Sequence, residues 1–118
     1  MAKVIVDGPD LVVRLSPLEK FGAFHGDVRV PLRAVLSVQA EPHPWEAVRG
    51  VRLAGTGIPG VAVLGTRYFK GGRDFVVLVA RRPAIRVELS DEAPYERLLV
   101  SAKDPESTLA QLRGVTSV

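Results

Sequence analysis

A glycine-rich segment at residues 55–60 reads Gly-Thr-Gly-Ile-Pro-Gly and satisfies the pattern G-x-G-x-x-G. In dinucleotide-binding proteins this pattern brings backbone N–H groups to a pyrophosphate at the start of a helix, and an acidic residue follows about 20 positions later. Here Val61, Ala62 and Val63 follow, which favours a strand, and residues 79–81 contain no acid. We therefore expect a structural glycine loop with several positive φ angles, and no bound NAD or ATP.

A run of basic residues lies between positions 67 and 86, a segment that contains six Lys or Arg residues and one acid, Asp74. The glycines at 71 and 72 predict a tight hairpin with a Gly-Gly tip. Cations and aromatic rings on such a tip could contact phosphates or an anionic membrane, although an ordinary solvated hairpin is the alternative. The candidate residues are Arg67, Tyr68, Phe69, Lys70 and Arg73.

Other residue types that perform chemistry are sparse. The chain has no cysteine, which excludes disulfides, thiolate metal clusters and a Cys nucleophile. His25 and His43 have no metal-ligand spacing, and no motif pairs a serine with a histidine and an acid. We expect no catalytic, metal or cofactor site. Trp45, at helical spacing from Val48, is expected to pack as a lid over the core and is also the candidate for facing a partner.

The elements that must position these residues are mainly strands. Valine is the commonest residue, and apolar and polar side chains alternate with a period of two. The pattern predicts seven or eight short strands, hence an antiparallel barrel or sandwich. The predicted strands are 3–6, 11–15, 28–30, 34–40, 61–69, 74–80, 85–89 and 95–101.

Three helix starts are visible. Ser16, Pro17 and Glu19 permit a capping box, followed by little more than one turn before Gly22. A second short turn covers residues 43–50. The third predicts the longest helix, near 104–113, which Asp104 caps and Pro105 begins, with Leu109 and Leu112 as its buried stripe and Gly114 as its end.

The composition indicates how many domains the chain forms and which partners and locations to expect. The chain has 118 residues, 47% of them hydrophobic and 25% charged, which predicts one globular domain over 1–118. A net charge of +3 is too small for the clustered footprint of a nucleic-acid-binding protein. No segment has the pattern of a signal peptide or a spanning helix, so we expect a cytoplasmic protein, with peripheral contact to the inner membrane face left open.

In order along the chain, these elements resemble the bacterial pleckstrin-homology-like domains. The resemblance is carried by Val-Pro-Leu at 30–32, by Arg-Leu-Ala-Gly-Thr-Gly-Ile-Pro-Gly at 52–60, and by Asp-Pro-Glu at 104–106 after Leu-Leu-Val-Ser. It implies two packed antiparallel sheets, bent into a partly open barrel that a C-terminal helix plugs. The first hairpin lacks the Lys and Arg cluster with which some eukaryotic relatives hold inositol phosphates, so no lipid specificity is carried over.

Such a fold serves many functions, so the function must come from a site. Because no catalytic constellation is visible and short strands leave open edges, we expect a non-enzymatic binding or assembly module. Its partner would be another protein or a second copy of the chain. The alternative is a peripheral membrane or anion-binding module that uses the basic hairpin 67–73.

Overall fold

The chain folds into short strands and two helices. The structure, a computed structural model, describes residues 2–58, 61–80 and 82–115. Two 3-10 turns, at Leu32–Ala34 and Pro44–Ala47, interrupt the strands. The elements are β1 (Lys3–Asp7), β2 (Asp10–Arg14), α1 (Pro17–Ala23), β3 (Val28–Pro31), β4 (Val35–Glu41), β5 (Val51–Ile58), β6 (Ala62–Phe69), β7 (Gly72–Val79), β8 (Ala84–Leu89), β9 (Arg97–Ser101) and α2 (Pro105–Arg113).

The strands form two sheets. The small sheet has the order β1-β2-β3, and the large sheet has the order β4-β8-β9-β7-β6-β5. Neighbouring strands are antiparallel except β7 and β9, which run parallel because β9 enters the sheet between β8 and β7. The prediction of a mostly-β fold with two sheets and a C-terminal helix is confirmed. The described strands number nine rather than seven or eight, and the parallel pair was not predicted.

The main core lies between the two sheets. Period-2 alternation places Phe75, Val77 and Leu98 of the large sheet against Leu11 and Val13 of the small sheet, all of them fully buried. A second, smaller cluster occupies the opposite face of the large sheet and includes Val76, Leu78 and Leu99. Both faces of the large sheet are therefore covered, which explains the unbroken apolar run in β7.

Strand β5 is the element that the sequence did not predict. The expected glycine loop is wrong for residues 55–58, which belong to this strand, whereas residues 59–60 lie outside the described part. Gly55 pairs with Gly65 of β6, both have positive φ, and a methyl group on Gly55 would overlap the carbonyl oxygen of Leu64. Gly57 has no positive φ. The glycines thus permit a close approach of the β5 and β6 backbones. Strand β6 follows the motif as predicted.

The two helices close different sides of the molecule. Helix α2 packs on β4, β8 and β1, and its expected features are confirmed: the Asp104 side chain accepts from the Ser107 N–H, and Leu109 and Leu112 are buried. Helix α1 packs on β5 and β6 and has the predicted capping box. Within the described residues, neither helix is long and apolar enough to cross a membrane.

Candidate functional site

The basic hairpin forms, but its tip differs from the prediction. The two turn residues are Lys70 and Gly71, both with positive φ, and Gly72 already belongs to β7, so the predicted Gly-Gly tip is wrong. Lys70 and Arg73 are exposed, and Tyr68 is about half exposed. A methyl group on Gly72 would overlap the side chain of Glu96, so a carboxylate lies beside the tip. This acid lowers the positive potential of the hairpin.

Two of the five hairpin candidates are engaged elsewhere. The Arg67 guanidinium donates to the carbonyls of Arg49 (3.1 Å) and Gly50 (2.7 Å), so it holds the preceding loop. The Phe69 ring lies beneath the Arg49 guanidinium, and the distance from Arg49 Cζ to the centre of the ring is 4.7 Å. The structure therefore leaves Lys70, Arg73 and Tyr68 exposed, with Lys70 Nζ 5.3 Å from the centre of the Phe69 ring, and places Arg67 and Phe69 in packing contacts.

The loop before β5 is fastened to the outer face of the large sheet by arginines. Arg49 forms a bidentate pair with Asp74, at 2.6 and 3.0 Å, and Asp74 is almost wholly buried. These hydrogen bonds, with the charge of Asp74, raise the pKa of Arg49. Arg97 donates to the Ala47 carbonyl at 3.1 Å. The cations of this region thus serve as structural clamps.

Trp45 lies on the same outer face, over the smaller apolar cluster. Its ring packs beside Ala47 and Val48 against this cluster, and its indole N–H donates to the Ala80 carbonyl at 2.8 Å. The short turn that carries Trp45 therefore covers the sheet as expected of a lid. Its role in facing a partner stays a prediction.

The titratable groups near the core form a small aromatic cluster. His25 contacts Phe75 and Tyr95, and the Tyr95 hydroxyl lies 3.1 Å from His25 Nε2. Burial raises the pKa of Tyr95. His25 Nδ1 lies 2.8 Å from the Gly26 carbonyl oxygen. The described residues contain no group of three possible metal ligands around these side chains.

A surface that the sequence did not reveal lies on α1. Leu18 and Phe21, together with Phe24 at the helix end, are 79%, 77% and 76% exposed. The i, i+3 spacing places Leu18 and Phe21 on one side of the helix, and Phe24 follows at the helix end. We call these three residues the α1 apolar face. Large apolar side chains clustered at this exposure mark interaction sites on proteins.

Polar contacts help to hold helix α1 on the sheet. The buried Glu19 side chain accepts from the backbone N–H groups of Ala2 and Ser16, both at 2.9 Å. The Thr56 hydroxyl donates to the Gly22 carbonyl at 2.7 Å, and Gly22 lets the helix approach Leu64. A helix anchored in this way leaves its large apolar side chains free for other contacts.

Further exposed apolar residues lie on the hairpin that α1 contacts. Of the eleven large apolar side chains found exposed in the described residues, eight belong to α1 with its end residue or to the β5–β6 hairpin. Those of the hairpin are Val51, Leu53, Ile58, Val61 and Tyr68. Helix α1 runs through Gly22 to Ala23, further than the single turn predicted, and no local pattern in the sequence marked Leu18 and Phe21 as exposed.

Three serines at caps and turns are used structurally. Ser16 caps α1, the Ser90 hydroxyl accepts from Glu92 N–H, and the Ser101 hydroxyl accepts from Val79 N–H at 3.0 Å. None of these three bonds involves a histidine. No protein-family model, curated protein or solved structure matches the chain.

Proposed function

We propose that the chain is a non-enzymatic assembly module that pairs with a second copy of itself through the α1 apolar face. The observation that carries this proposal is the exposure of Leu18, Phe21 and Phe24, each above three-quarters. Aromatic and large aliphatic side chains are the anchors of protein interfaces. The resemblance to pleckstrin-homology-like domains stays a prediction beside this proposal, and it is compatible with such a role.

The available area supports an interface. A large apolar side chain offers roughly 150–250 Å² for burial, so three side chains that are three-quarters exposed offer about 400 Å². A standard interface takes about 800 Å² from each partner. The adjoining exposed residues of the β5–β6 hairpin, together with the polar rim of α1, can supply the remainder.

Charge favours a second copy over an anionic bilayer. A two-fold interface brings identical patches together, so any net charge on the patch would repel itself. Glu19 is buried, and Lys20 lies 3.8 Å from Asp27, so the ionised groups of α1 are withdrawn or compensated. Attraction to anionic lipid needs several uncompensated cations near the inserted residues. Strand β5 also lies at the edge of the large sheet, where it can pair further.

Light scattering across a concentration series tests self-association. We expect a species of twice 12.7 kDa at micromolar concentration. The double substitution Phe21→Ser with Phe24→Asn should shift it to the monomer, because it removes both aromatic anchors while Asn tolerates the left-handed backbone of position 24. The matched control is Leu36→Ser, an exposed apolar residue on β4 at the opposite edge of the sheet. A monomeric unmodified protein, or a double variant that still dimerises, would refute the proposal.

A second candidate function rests on the hairpin. Lys70, Arg73 and Tyr68 face solvent together and could contact an anionic membrane. Sedimentation with phosphatidylserine vesicles at low salt tests this, with the double substitution Lys70→Glu and Arg73→Glu as the variant. Binding that rises with anionic lipid, falls with salt and disappears in the variant would establish the membrane function. Absence of binding by the unmodified protein would leave the hairpin as a solvated turn.

A further inference from the structure

A groove lies between strand β1 and helix α2. Its volume is about 490 Å³, and Ala2 with the first three residues of β1 supplies one wall. The other wall is the side of α2 that carries Ser107, Thr108 and Gln111. Grooves of this size accept ligands, and the polar wall can donate and accept hydrogen bonds.

The β1 wall presents free backbone groups. Among the described strands, β1 pairs with β2 alone, through a two-residue turn at Gly8 and Pro9 that makes Asp7 and Asp10 a hydrogen-bonded pair. Hydrogen-bonded and non-hydrogen-bonded pairs alternate along an antiparallel ladder, so the N–H and C=O groups of Val4 and Val6 point away from β2. The Ala2 N–H follows the same alternation, since it bonds to Glu19 rather than to β2. The edge of β1 can therefore receive another strand.

The charged side chains that line the groove, Lys3, Lys103 and Asp104, sum to one positive charge. Lys3 and Lys103 line it, both are exposed, and neither forms an ion pair within the described residues. The acid of the lining, Asp104, already accepts from the Ser107 N–H and so satisfies the start of α2. Arg14 lies opposite Lys3 on β2 and adds to the positive potential. An occupant with carboxylates complements this surface.

We propose that this groove binds an extended acidic segment of another protein, which adds to β1 as a fourth strand of the small sheet. The added strand would lie about 4.8 Å from β1 and bond to the free groups of Val4 and Val6. Its side chains alternate: one set points to the polar wall of α2, and the other lies beside Lys3 on the open side of the sheet. Acidic residues in the second set meet Lys3, while Lys103, which lines the same groove, adds to the attraction.

Fluorescence polarisation with a short labelled peptide of alternating valine and glutamate tests the proposal. We expect saturable binding with a dissociation constant of roughly 10–100 μM that weakens with added salt. A peptide in which every glutamate is replaced by lysine should not bind. Amide hydrogen exchange of the complex should slow at Val4 and Val6, which only strand addition at β1 explains.

The double substitution Lys3→Glu and Lys103→Glu should weaken binding of the glutamate peptide about tenfold or more, because two attractive contacts become repulsive. The matched control, Lys70→Glu, removes a cation far from the groove and should leave the affinity unchanged. Equal binding by the two variants, or protection confined to β5, would overturn the proposal. The variant of α1 with Phe21→Ser and Phe24→Asn should still bind the peptide, so failure of self-association is distinguishable from failure of the groove.

Discussion

The two α-helices of this molecule expose opposite kinds of side chain. Helix α2 buries its apolar residues, with Leu109 and Leu112 at 2% and 1% exposure, and turns polar residues to the solvent. Helix α1 buries a carboxylate, Glu19, and exposes Leu18 and Phe21. Burial of apolar surface therefore stabilises the docking of α2, whereas directed hydrogen bonds and the small buried side chain of Ala23 hold α1. The comparison is the basis for the proposal that α1 has a further partner.

The largest expected effect separates these two kinds of docking. Leu109→Ala should lower the free energy of unfolding by about 2–5 kcal/mol, because it leaves a cavity beneath α2. The matched substitution Leu18→Ala should change it by less than about 0.5 kcal/mol, since that side chain is exposed. Urea titration at a concentration low enough for a monomer measures both values.

Concentration sharpens this test. If the α1 apolar face is covered in a dimer, Leu18→Ala should become more costly as the protein concentration rises, because association stabilises the folded state. Leu109→Ala should cost the same at every concentration. A loss for Leu18→Ala in the dilute monomer as large as that for Leu109→Ala would contradict the contrast between the helices.

Much of α2 could be predicted from the sequence, and the surface of α1 could not. The cap, the buried stripe and the terminating glycine of α2 are local signals within one segment. The exposure of α1 depends on where β5 and β6 lie, and β5 itself was missed because its glycines and bulge obscure the alternation. The hydrogen bond of Arg67 likewise depends on a loop residue 17 positions away in the sequence. Tertiary contacts of this kind leave no local pattern.

A smaller effect tests the polar anchor of α1. Glu19→Gln keeps one carbonyl oxygen but places an NH₂ group against a backbone donor, so one of the two bonds to Ala2 and Ser16 is lost. We expect a loss of about 1–3 kcal/mol in the free energy of unfolding. The matched change Glu106→Gln, on the exposed first turn of α2, should cost only a few tenths of a kcal/mol. Equal losses would mean that Glu19 does not anchor the helix.

The smallest effect concerns the two helix ends, where the residue types are interchanged. Phe24 ends α1 in the left-handed region at φ 53°, which favours glycine, whereas Gly114 ends α2 at φ −71°, which any residue adopts. Phe24→Gly should stabilise the monomer by about 0.5 kcal/mol, because relief of the strained backbone exceeds the added entropy of the unfolded chain. Gly114→Ala should stabilise it by a similar amount. Thermal unfolding measures both, and light scattering should detect weaker self-association for Phe24→Gly alone. A destabilised Phe24→Gly monomer would mean that the ring packs within its own chain. The strained backbone at Phe24 would then be explained without a partner.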